Sequence, residues 1–364
     1  MNVQFFPSKR IAFYMAKLFV LRTLAVLAAL VIILMTLDLL GESGKILRYP
    51  GNGDAELWQY VALRIPQLVA RFLPFSVLLG TLITLATLNQ NSEIISMKAA
   101  GISAHQIIAP LILASLVIAA GTFIFQERVV TRATATLRAW EAVDYGPIPR
   151  ESGVHNNVWV RSGDDLIFAA LVTGRGEGTR LRNVRLYDRV GGTLQTLITA
   201  DRARPQGEAW LLENVGRFDL RTMRAEQLPS LVAARDADPT QFTLAKVDPA
   251  EQDLPTLQDS IHQMKVAGRS TRPLEAGLWH KISGPLSAIL MPLLAAVAAF
   301  GLARTGRLFL RAVLGMALGF AYFVADNFAL AMGNFGAYPP LLAAWAPFFL
   351  FLLIGETVLI RTEE

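Results

Sequence analysis

The chain has 364 residues, and 53% of them are hydrophobic, whereas a soluble domain averages about 45–50% apolar residues. The excess lies in long apolar runs at both ends, which indicates an integral membrane protein with one inserted domain of ordinary soluble composition. The net charge of +5 does not indicate nucleic-acid binding, since basic residues are expected on cytoplasmic loops and no basic motif with base-stacking aromatics occurs. The absence of cysteine excludes a disulfide framework and thiol chemistry.

Three apolar runs precede the polar middle of the chain. The first, Ile11–Leu40, is too long for the hydrophobic region of a signal peptide and has no small-residue cleavage site, so we expect a retained anchor. Lys17 and Arg22 at its start predict a cytoplasmic N-terminus. By alternation, the loop between the first and second spans is external and the segment after the second span is cytoplasmic. The second and third spans are predicted at Val61–Leu88 and Ile107–Phe125.

The middle of the chain changes from a helical to a β period. Glu127–Glu141 keeps a helical pattern after the third span, and Asp253–Gly268 predicts an amphipathic helix that leads back to the membrane. Six short β-type runs with turn signals between them are typical of an all-β sandwich or a jelly-roll-like domain. These runs are Val158–Val160, Leu166–Ala170, Leu181–Asp188, Thr193–Ala200, Ala209–Leu212 and Gly216–Leu220.

Three further apolar runs end the chain, at Leu278–Ala303, Val313–Met332 and Leu341–Ile360. The short loop after the first of them carries arginines at 304, 307 and 311, which places it in the cytoplasm. The sequence therefore predicts a polytopic α-helical membrane protein with six transmembrane helices, an inserted external all-β, jelly-roll-like domain and two cytoplasmic termini. The expected domains are 1–126 with spans one to three, 127–275 with the β domain and flanking helices, and 276–364 with spans four to six.

The segment Asn91–Ser103, NSEIISMKAAGIS, lies between the second and third spans, on the predicted cytoplasmic side. Ser92 and Glu93 can begin a short helix and Gly101 can end it. Such a helix is the shape by which permeases of ABC transporters dock into a groove on their ATPase. The alternative is an interfacial helix that rests on lipid. The expected apolar side consists of Ile94, Ile95, Met97 and Ala100.

The sequence carries no motif for catalysis. It has no GxSxG, HExxH or Walker A pattern, so we expect no enzyme activity in this chain, and any ATP hydrolysis would belong to a separate partner. Neither a metal nor a cofactor is expected, because the histidines are scattered over different parts of the predicted topology. The acidic pair Asp164-Asp165 is predicted to be a solvated hairpin turn. The four histidines are His105, His155, His262 and His280.

Charged residues near the membrane are candidates for substrate contact. Asp38, near the outer end of the first span, either lies in the headgroup layer or faces a protein interior, and Asp326, inside the fifth span, either lines a path or bonds a neighbouring helix. Basic residues near the outer surface could together bind an anionic lipid headgroup, because guanidinium pairs with phosphate bidentately. Each taken singly is equally a solvated surface residue. They are Lys45, Arg48, Arg64, Arg71, Arg128, Arg132 and Arg138.

Four stretches resemble the LptF/LptG (YjgP/YjgQ) permeases of the lipopolysaccharide-export ABC transporter, and the resemblance covers nearly the whole chain. The segment NSEIISMKAAGIS resembles the coupling-helix pattern SE-x-x-x-M-x-A-x-G of that family. The Trp279-x-Lys281 pattern and the paired prolines at the end of the stretch Tyr322–Pro340 resemble LptG members more than LptF members. The other three stretches are Asn157–Ala169, Leu278–Phe300 and Tyr322–Pro340.

The resemblance implies a permease subunit that extracts lipopolysaccharide from the outer leaflet of the bacterial inner membrane. The expected partners are an LptF-like permease in a heterodimer, an LptB-like ATPase dimer, and LptC-like and LptA-like periplasmic proteins that receive the lipid from the periplasmic β domain. Lipid would enter a V-shaped cavity laterally near spans one and five, and ATP binding would close the cavity. An alternative from another class is a membrane-anchored scaffold whose β domain assembles partners through its edge strands, without a lipid path.

The resemblance also implies roles for single residues. The ATPase-coupling candidates are Glu93, Ile94, Met97 and Gly101. The substrate-binding candidates are Asp38, Lys45, Arg48, Arg71, Arg138 and Asp326. LptG members typically have lysines toward the outer part of the first span, whereas this chain has Met35, Gly41 and Glu42 there, with Lys45 and Arg48 as the nearest cations.

Overall fold

The computed structural model describes residues 8–141, 143–147, 155–174, 176–207, 209–235, 237–244, 247–266, 270–301 and 308–363. The chain forms two units. A helical unit comprises Met1–Leu47, Asn52–Ala135 and Pro249–Glu364, and a β unit comprises Arg48–Gly51 and Thr136–Asp248.

The first apolar runs form long helices joined by a short one. They are α1 (Lys9–Ile46), α2 (Asp54–Gln90), the seven-residue α3 (Glu93–Ala99) and α4 (Ala104–Phe125). α4 continues through a π-helical segment, Gln126–Val130, into α5 (Thr131–Glu141), so the predicted helical continuation of the third span is confirmed.

The C-terminal part returns to helices. After α6 (Pro239–Leu244) of the β unit come α7 (Leu254–Val266), α8 (Arg272–Ala296) with a π-helical segment at Val297–Gly301, α9 (Leu308–Asn334) and α10 (Pro340–Glu363). The predicted amphipathic helix is α7, which buries Leu257, Ile261 and Met264. Arg304 and Arg307 of the predicted basic loop lie outside the described residues.

Six helices among the described residues are long and apolar enough to cross a membrane, which confirms the predicted number of spans. α8 is the most buried of them, and α1 and α9 are the least buried. Every residue of α8 from 290 to 296 is buried, so this part of the helix packs against neighbours on all sides. The spans cover Lys9–Ile46, Asp54–Gln90, Ala104–Glu141, Arg272–Ala299, Val313–Asn334 and Pro340–Arg361.

Glycines let the helices approach one another closely. A Cβ at Gly80 of α2 would lie 2.8 Å from the Cα of Thr23 on α1, and a Cβ at Gly315 of α9 would lie 2.7 Å from Leu82 of α2. Gly355 of α10 approaches Leu293 of α8 in the same way. Small residues at such crossings are characteristic of membrane helices, because no hydrophobic force drives helices together inside lipid.

The β unit contains one six-stranded antiparallel sheet in the order β1-β2-β3-β4-β5-β6. Consecutive strands pair throughout the described chain, so the inserted all-β domain is confirmed, and its pairing is that of a meander. The strands are β1 (His155–Ser162), β2 (Asp165–Thr173), β3 (Arg180–Val190), β4 (Thr193–Gln206), β5 (Ala209–Asp219) and β6 (Arg224–Ala233).

One strand was predicted wrongly from the sequence, and another was not predicted at all. The runs Ala209–Leu212 and Gly216–Leu220 were predicted to be separate strands but form the single strand β5, in which Asn214 takes a φ of +56° without ending the ladder. The strand β6 was missed, because it is mostly exposed and contains Pro229. Both properties suit an edge strand, where one side of the backbone needs no partner.

The predicted turn at Asp164-Asp165 is confirmed as the connection between β1 and β2. Asp165 accepts a hydrogen bond from the backbone N–H of Arg189 at 2.9 Å, and Asp164 accepts one from Gly192 at 2.9 Å. These bonds tie the β1–β2 turn to the end of β3, so the two carboxylates have a structural role there.

Candidate functional site

The short helix α3 has defined ends. Ser92 precedes it in the left-handed region, with a φ of +59°, and its side chain makes no capping bond. At the other end Gly101 has a φ of +82°, its N–H donates to the Lys98 carbonyl, and the N–H of Ile102 donates to the Met97 carbonyl. This is a Schellman motif with glycine at its left-handed position. The prediction that Gly101 ends the helix is confirmed.

The two sides of α3 differ in exposure. Ile94 and Met97 are buried and belong to the core of the helical unit, where α1, α2, α4, α8, α9 and α10 contribute other side chains. Ile95 is 60% exposed, and Ser96, Lys98 and Ala99 are exposed as well. The predicted apolar side is therefore divided: two of its residues fix α3 to its own bundle, and Ile95 is presented outward.

Glu93 connects α3 to α1. Its Oε1 accepts a hydrogen bond from the Tyr14 hydroxyl at 3.3 Å and another from the Asn91 amide at 3.2 Å. The carboxylate also lies in the first turn of α3, where the helix dipole favours negative charge. Tyr14 was not among the residues singled out from the sequence, because nothing in the spacing of positions 14 and 93 indicates contact.

Asp38 lies between α1 and α2 and is fully engaged by α2. Arg64 donates to it twice, from Nε to Oδ2 at 3.0 Å and from Nη2 to Oδ1 at 2.9 Å, and the buried Tyr60 hydroxyl donates to Oδ2 at 2.6 Å. A bidentate arginine–carboxylate pair is among the stronger hydrogen-bonded contacts in proteins. Asp38 is therefore bonded to its neighbouring helix α2.

The basic candidates fall into two groups. Lys45 pairs with Glu42 at 2.8 Å on the surface of α1, and Arg138 on α5 pairs with Asp248. Arg48, in the turn after α1, and Arg71, on α2, are exposed and make no hydrogen bond or ion pair with any residue that the structure describes. Arg71 is thus a guanidinium on a membrane-spanning helix that remains available to an anion.

Asp326 on α9 is bonded to a neighbouring helix. Its Oδ2 lies 3.0 Å from Nε2 of His280 on α8, and its side chain is 15% exposed. The residue after His280 makes a second contact of this kind: Nζ of Lys281 lies 2.6 Å from Oε1 of Glu127 in the π-helical segment after α4. Adjacent positions of α8 therefore meet carboxylates from two different helices.

Glu127 has a second partner at the start of α7, since its Oε2 accepts the backbone N–H of Leu254 at 2.7 Å. Asp253 caps the same helix by accepting the N–H of Thr256 at 3.1 Å. The hydrogen bond from the Thr256 side chain lowers the pKa of the Asp253 carboxyl, and the charge of Lys281 lowers it further. Apart from the family resemblance around Lys281, no sequence pattern indicated the Glu127–Lys281 contact.

The described residues contain no group of three histidine or acidic side chains that could hold a metal ion. The polar contacts of Asp38, Glu127 and Asp326 instead each join two or three helices.

Comparison with known proteins supports the resemblance. A family model described as lipopolysaccharide export system permease LptF/LptG matches residues 13–361. The chain is 26% identical over 350 residues to the lipopolysaccharide export system permease protein LptG of Escherichia coli K12, which covers 94% of each protein. It is 26% identical over 355 residues to the protein of the same name from Haemophilus influenzae Rd, which covers 93% of this chain and 97% of the relative. The chain belongs to the LptF/LptG family of lipopolysaccharide export system permeases.

Proposed function

We propose that this chain is a permease subunit that moves lipopolysaccharide out of the inner membrane and is driven by a separate ATPase bound at α3. The observation that carries the proposal is the geometry of α3. Ile94 and Met97 fix one side of the helix in the bundle core, and Ile95 with its neighbours forms an exposed side. A force applied to the exposed side would therefore act on the packed helices rather than on a loose loop.

The proposed topology places α3 and both termini in the cytoplasm and the β unit in the periplasm. The basic residues Lys17 and Arg22 at the start of α1 support this orientation. The proposed partners are an LptF-like permease, an LptB-like ATPase dimer, and LptC-like and LptA-like periplasmic proteins. The two related LptG proteins, named as export system permeases, support assembly into such a system.

The low burial of α1 and α9 supports lateral entry of lipid near these helices. Both carry rows of exposed apolar side chains, which a monomer alone leaves uncovered. Lipid tails, the substrate or the partner permease would cover them. The exposed members of these rows are Leu21, Leu24, Ile32, Ile33, Leu37 and Leu40 on α1, and Val313, Met316, Phe320, Val324 and Phe328 on α9.

The exposed and buried sides of α3 provide the test of ATPase docking. Ile95→Asp places a charge on the exposed side, and we expect the ATPase to be lost from the purified complex while the permease keeps its melting temperature. Ile94→Asp, one position away, places the same charge in the core and should lower the melting temperature itself. Retention of the ATPase by the Ile95→Asp variant would contradict docking at α3.

The scaffold alternative has one structural observation in its favour, the exposed edge strand β6. Photocrosslinking with lipopolysaccharide distinguishes the two functions, using the available guanidinium of Arg71 and the substrate candidate Asp326 as label positions. Adducts at these positions that disappear when ATP is supplied support a lipid path. Absence of lipid adducts at both positions, with protein adducts along β6, would favour the scaffold.

A further inference from the structure

One carboxylate joins three elements of the helical unit. Glu127, in the π-helical segment after α4, bonds Nζ of Lys281 on α8 through one oxygen and the N–H of Leu254 on α7 through the other, at 2.6 and 2.7 Å. The side chain of Lys281 is 5% exposed and that of Glu127 is 14% exposed. Both oxygens of the carboxylate therefore accept from protein donors, and little of the side chain is exposed.

Stability alone does not account for this arrangement. Two charges removed from water cost several kcal/mol each, and apolar side chains of similar volume are often as good or better at such positions. A charged residue inside a membrane-spanning helix is uncommon, and π-helical segments are frequent at functional sites. Glu127 and Lys281 combine both features in one contact.

The position of Glu127 along the chain suggests what the contact does. The connector from α3 to α4 is short and fully bonded, through the Schellman motif at Gly101 and through Ser103, whose hydroxyl accepts the N–H of Gln106 at 3.2 Å. α4 then runs for 22 residues, about 33 Å at the rise of an α-helix, directly into the π-helical segment. α3 and Glu127 therefore lie at opposite ends of one helix.

We infer that Glu127 and Lys281 are positioning residues, through which a displacement of α3 reaches α7 and α8 by way of α4. The inference rests on the proposed function, in which an ATPase moves α3. α8 is the most buried span and α7 is the helix that follows the β unit in the chain. The pair thus connects the end of α4 that is remote from α3 to both α7 and α8.

The test separates ATPase docking from lipid delivery in the full complex. Lys281→Met removes the charge and keeps the approximate volume, and Glu127→Gln removes the charge and keeps an acceptor for Leu254. The matched control is Lys265→Met with Glu275→Gln. These two residues form an ion pair of 2.7 Å that also joins α7 to α8, but the Lys265 side chain in this pair is 59% exposed. ATPase copurification and ATP hydrolysis report docking. Transfer of lipopolysaccharide from proteoliposomes to its periplasmic acceptor reports delivery.

We expect both single variants to keep the ATPase and its hydrolysis rate, and to lose about tenfold in delivery, within the range of typical coupling free energies between sites. The control should change delivery by less than about twofold, since exposed ion pairs contribute little. Wild-type delivery in both variants would overturn the inference. Loss of complex assembly in both would reduce the pair to a structural role and would also overturn it. A wild-type permease that binds no ATPase would refute the proposed function instead.

A distance measurement follows the movement itself. The chain has no cysteine, so spin labels can be attached to it specifically through Ala99→Cys on α3 and His262→Cys on α7, both of which are exposed. The distance between the two labels is the quantity measured. We expect a non-hydrolysable ATP analogue to change this distance in the otherwise unaltered protein and to leave it unchanged with Lys281→Met. An equal change in both proteins would overturn the inference, because the pair would then not carry the displacement.

Discussion

Arg64 of α2 binds both carboxylate oxygens of Asp38 on α1, and the Tyr60 hydroxyl binds one of them as well. The pair neutralises itself, so it offers no net charge to a lipid phosphate. Arg64 also donates to Gln67 at 2.8 Å, which holds its guanidinium in place. The contact therefore acts first as a link between the first two spans.

Removal of this carboxylate should loosen the α1–α2 packing. We expect Asp38→Ala to lower the free energy of unfolding by about 1–3 kcal/mol, because Arg64 and the buried Tyr60 lose a charged acceptor. Thermal unfolding of the purified protein in detergent measures the loss. Glu42→Ala is the control: it removes an exposed pair on α1, worth about 0.5 kcal/mol or less. Equal losses in the two variants would show that the Asp38 contact is no stronger than a surface pair.

Gly80 allows α1 to reach α2, and a methyl group there should separate them. Its Cβ would lie 2.8 Å from the Cα of Thr23, and backbone atoms cannot move aside as a side-chain end can. We expect Gly80→Ala to cost about 1–3 kcal/mol, the usual range for overpacking. Gly121→Ala in α4 is the matched control, since nothing lies within 4 Å of its Cβ and alanine favours helices. A melting temperature that is unchanged by Gly80→Ala would refute the close approach.

The sequence was sufficient to predict that the helices exist and where α3 ends, but not which of their side chains are buried. Long apolar runs indicated six spans, and Gly101 indicated the end of α3, because both are local properties of the chain. The rotation of α3 about its axis is set by packing, and the sequence could not tell that Ile94 is buried while Ile95 is exposed. In a helix of seven residues the apolar pattern is too short to define one face.

Contacts between residues distant in the chain could not be predicted from the sequence either, because they too are set by packing. Glu127 and Lys281 are 154 positions apart, and Asp38 and Arg64 each carry a charge that could equally face water or lipid. The exposed strand β6 was missed because its polar residues follow no alternation, although its backbone completes the sheet. The partners of these charged residues are distant in the chain and become neighbours only in the folded structure.

Glu93 provides a test of whether α3 acts through α1 or directly on a partner. Glu93→Lys reverses the charge beside Tyr14, and we expect it to uncouple or dissociate the ATPase. Tyr14→Phe removes only the hydrogen bond of 3.3 Å and leaves the carboxylate in place. If Glu93 contacts the ATPase directly, Tyr14→Phe should keep ATPase stimulation, because the carboxylate that makes this contact stays in place and charged.

The opposite result identifies an indirect role. A Tyr14→Phe variant as defective as Glu93→Lys would show that the carboxylate acts by holding α1 against α3. Stimulation that survives Glu93→Lys, and also survives deletion of Asn91–Ser103, would exclude α3 as the coupling element. Copurification of the ATPase with each variant is the accompanying measurement.

The His280–Asp326 contact predicts an asymmetry between its two partners. Asp326 is 15% exposed, so His280→Leu leaves a carboxylate with little water around it, and we expect a loss of about 1–3 kcal/mol in the free energy of unfolding. Asp326→Asn keeps an oxygen that can accept from the imidazole and should cost less. The double change to leucine at both positions should cost less than His280→Leu alone, because it leaves no buried polar group without a partner.

A double-mutant cycle in detergent measures this coupling directly, since the two residues are in contact and their separate costs should not add. Additive losses would mean that the contact of 3.0 Å contributes nothing, and would return Asp326 to the role of a residue facing an aqueous path.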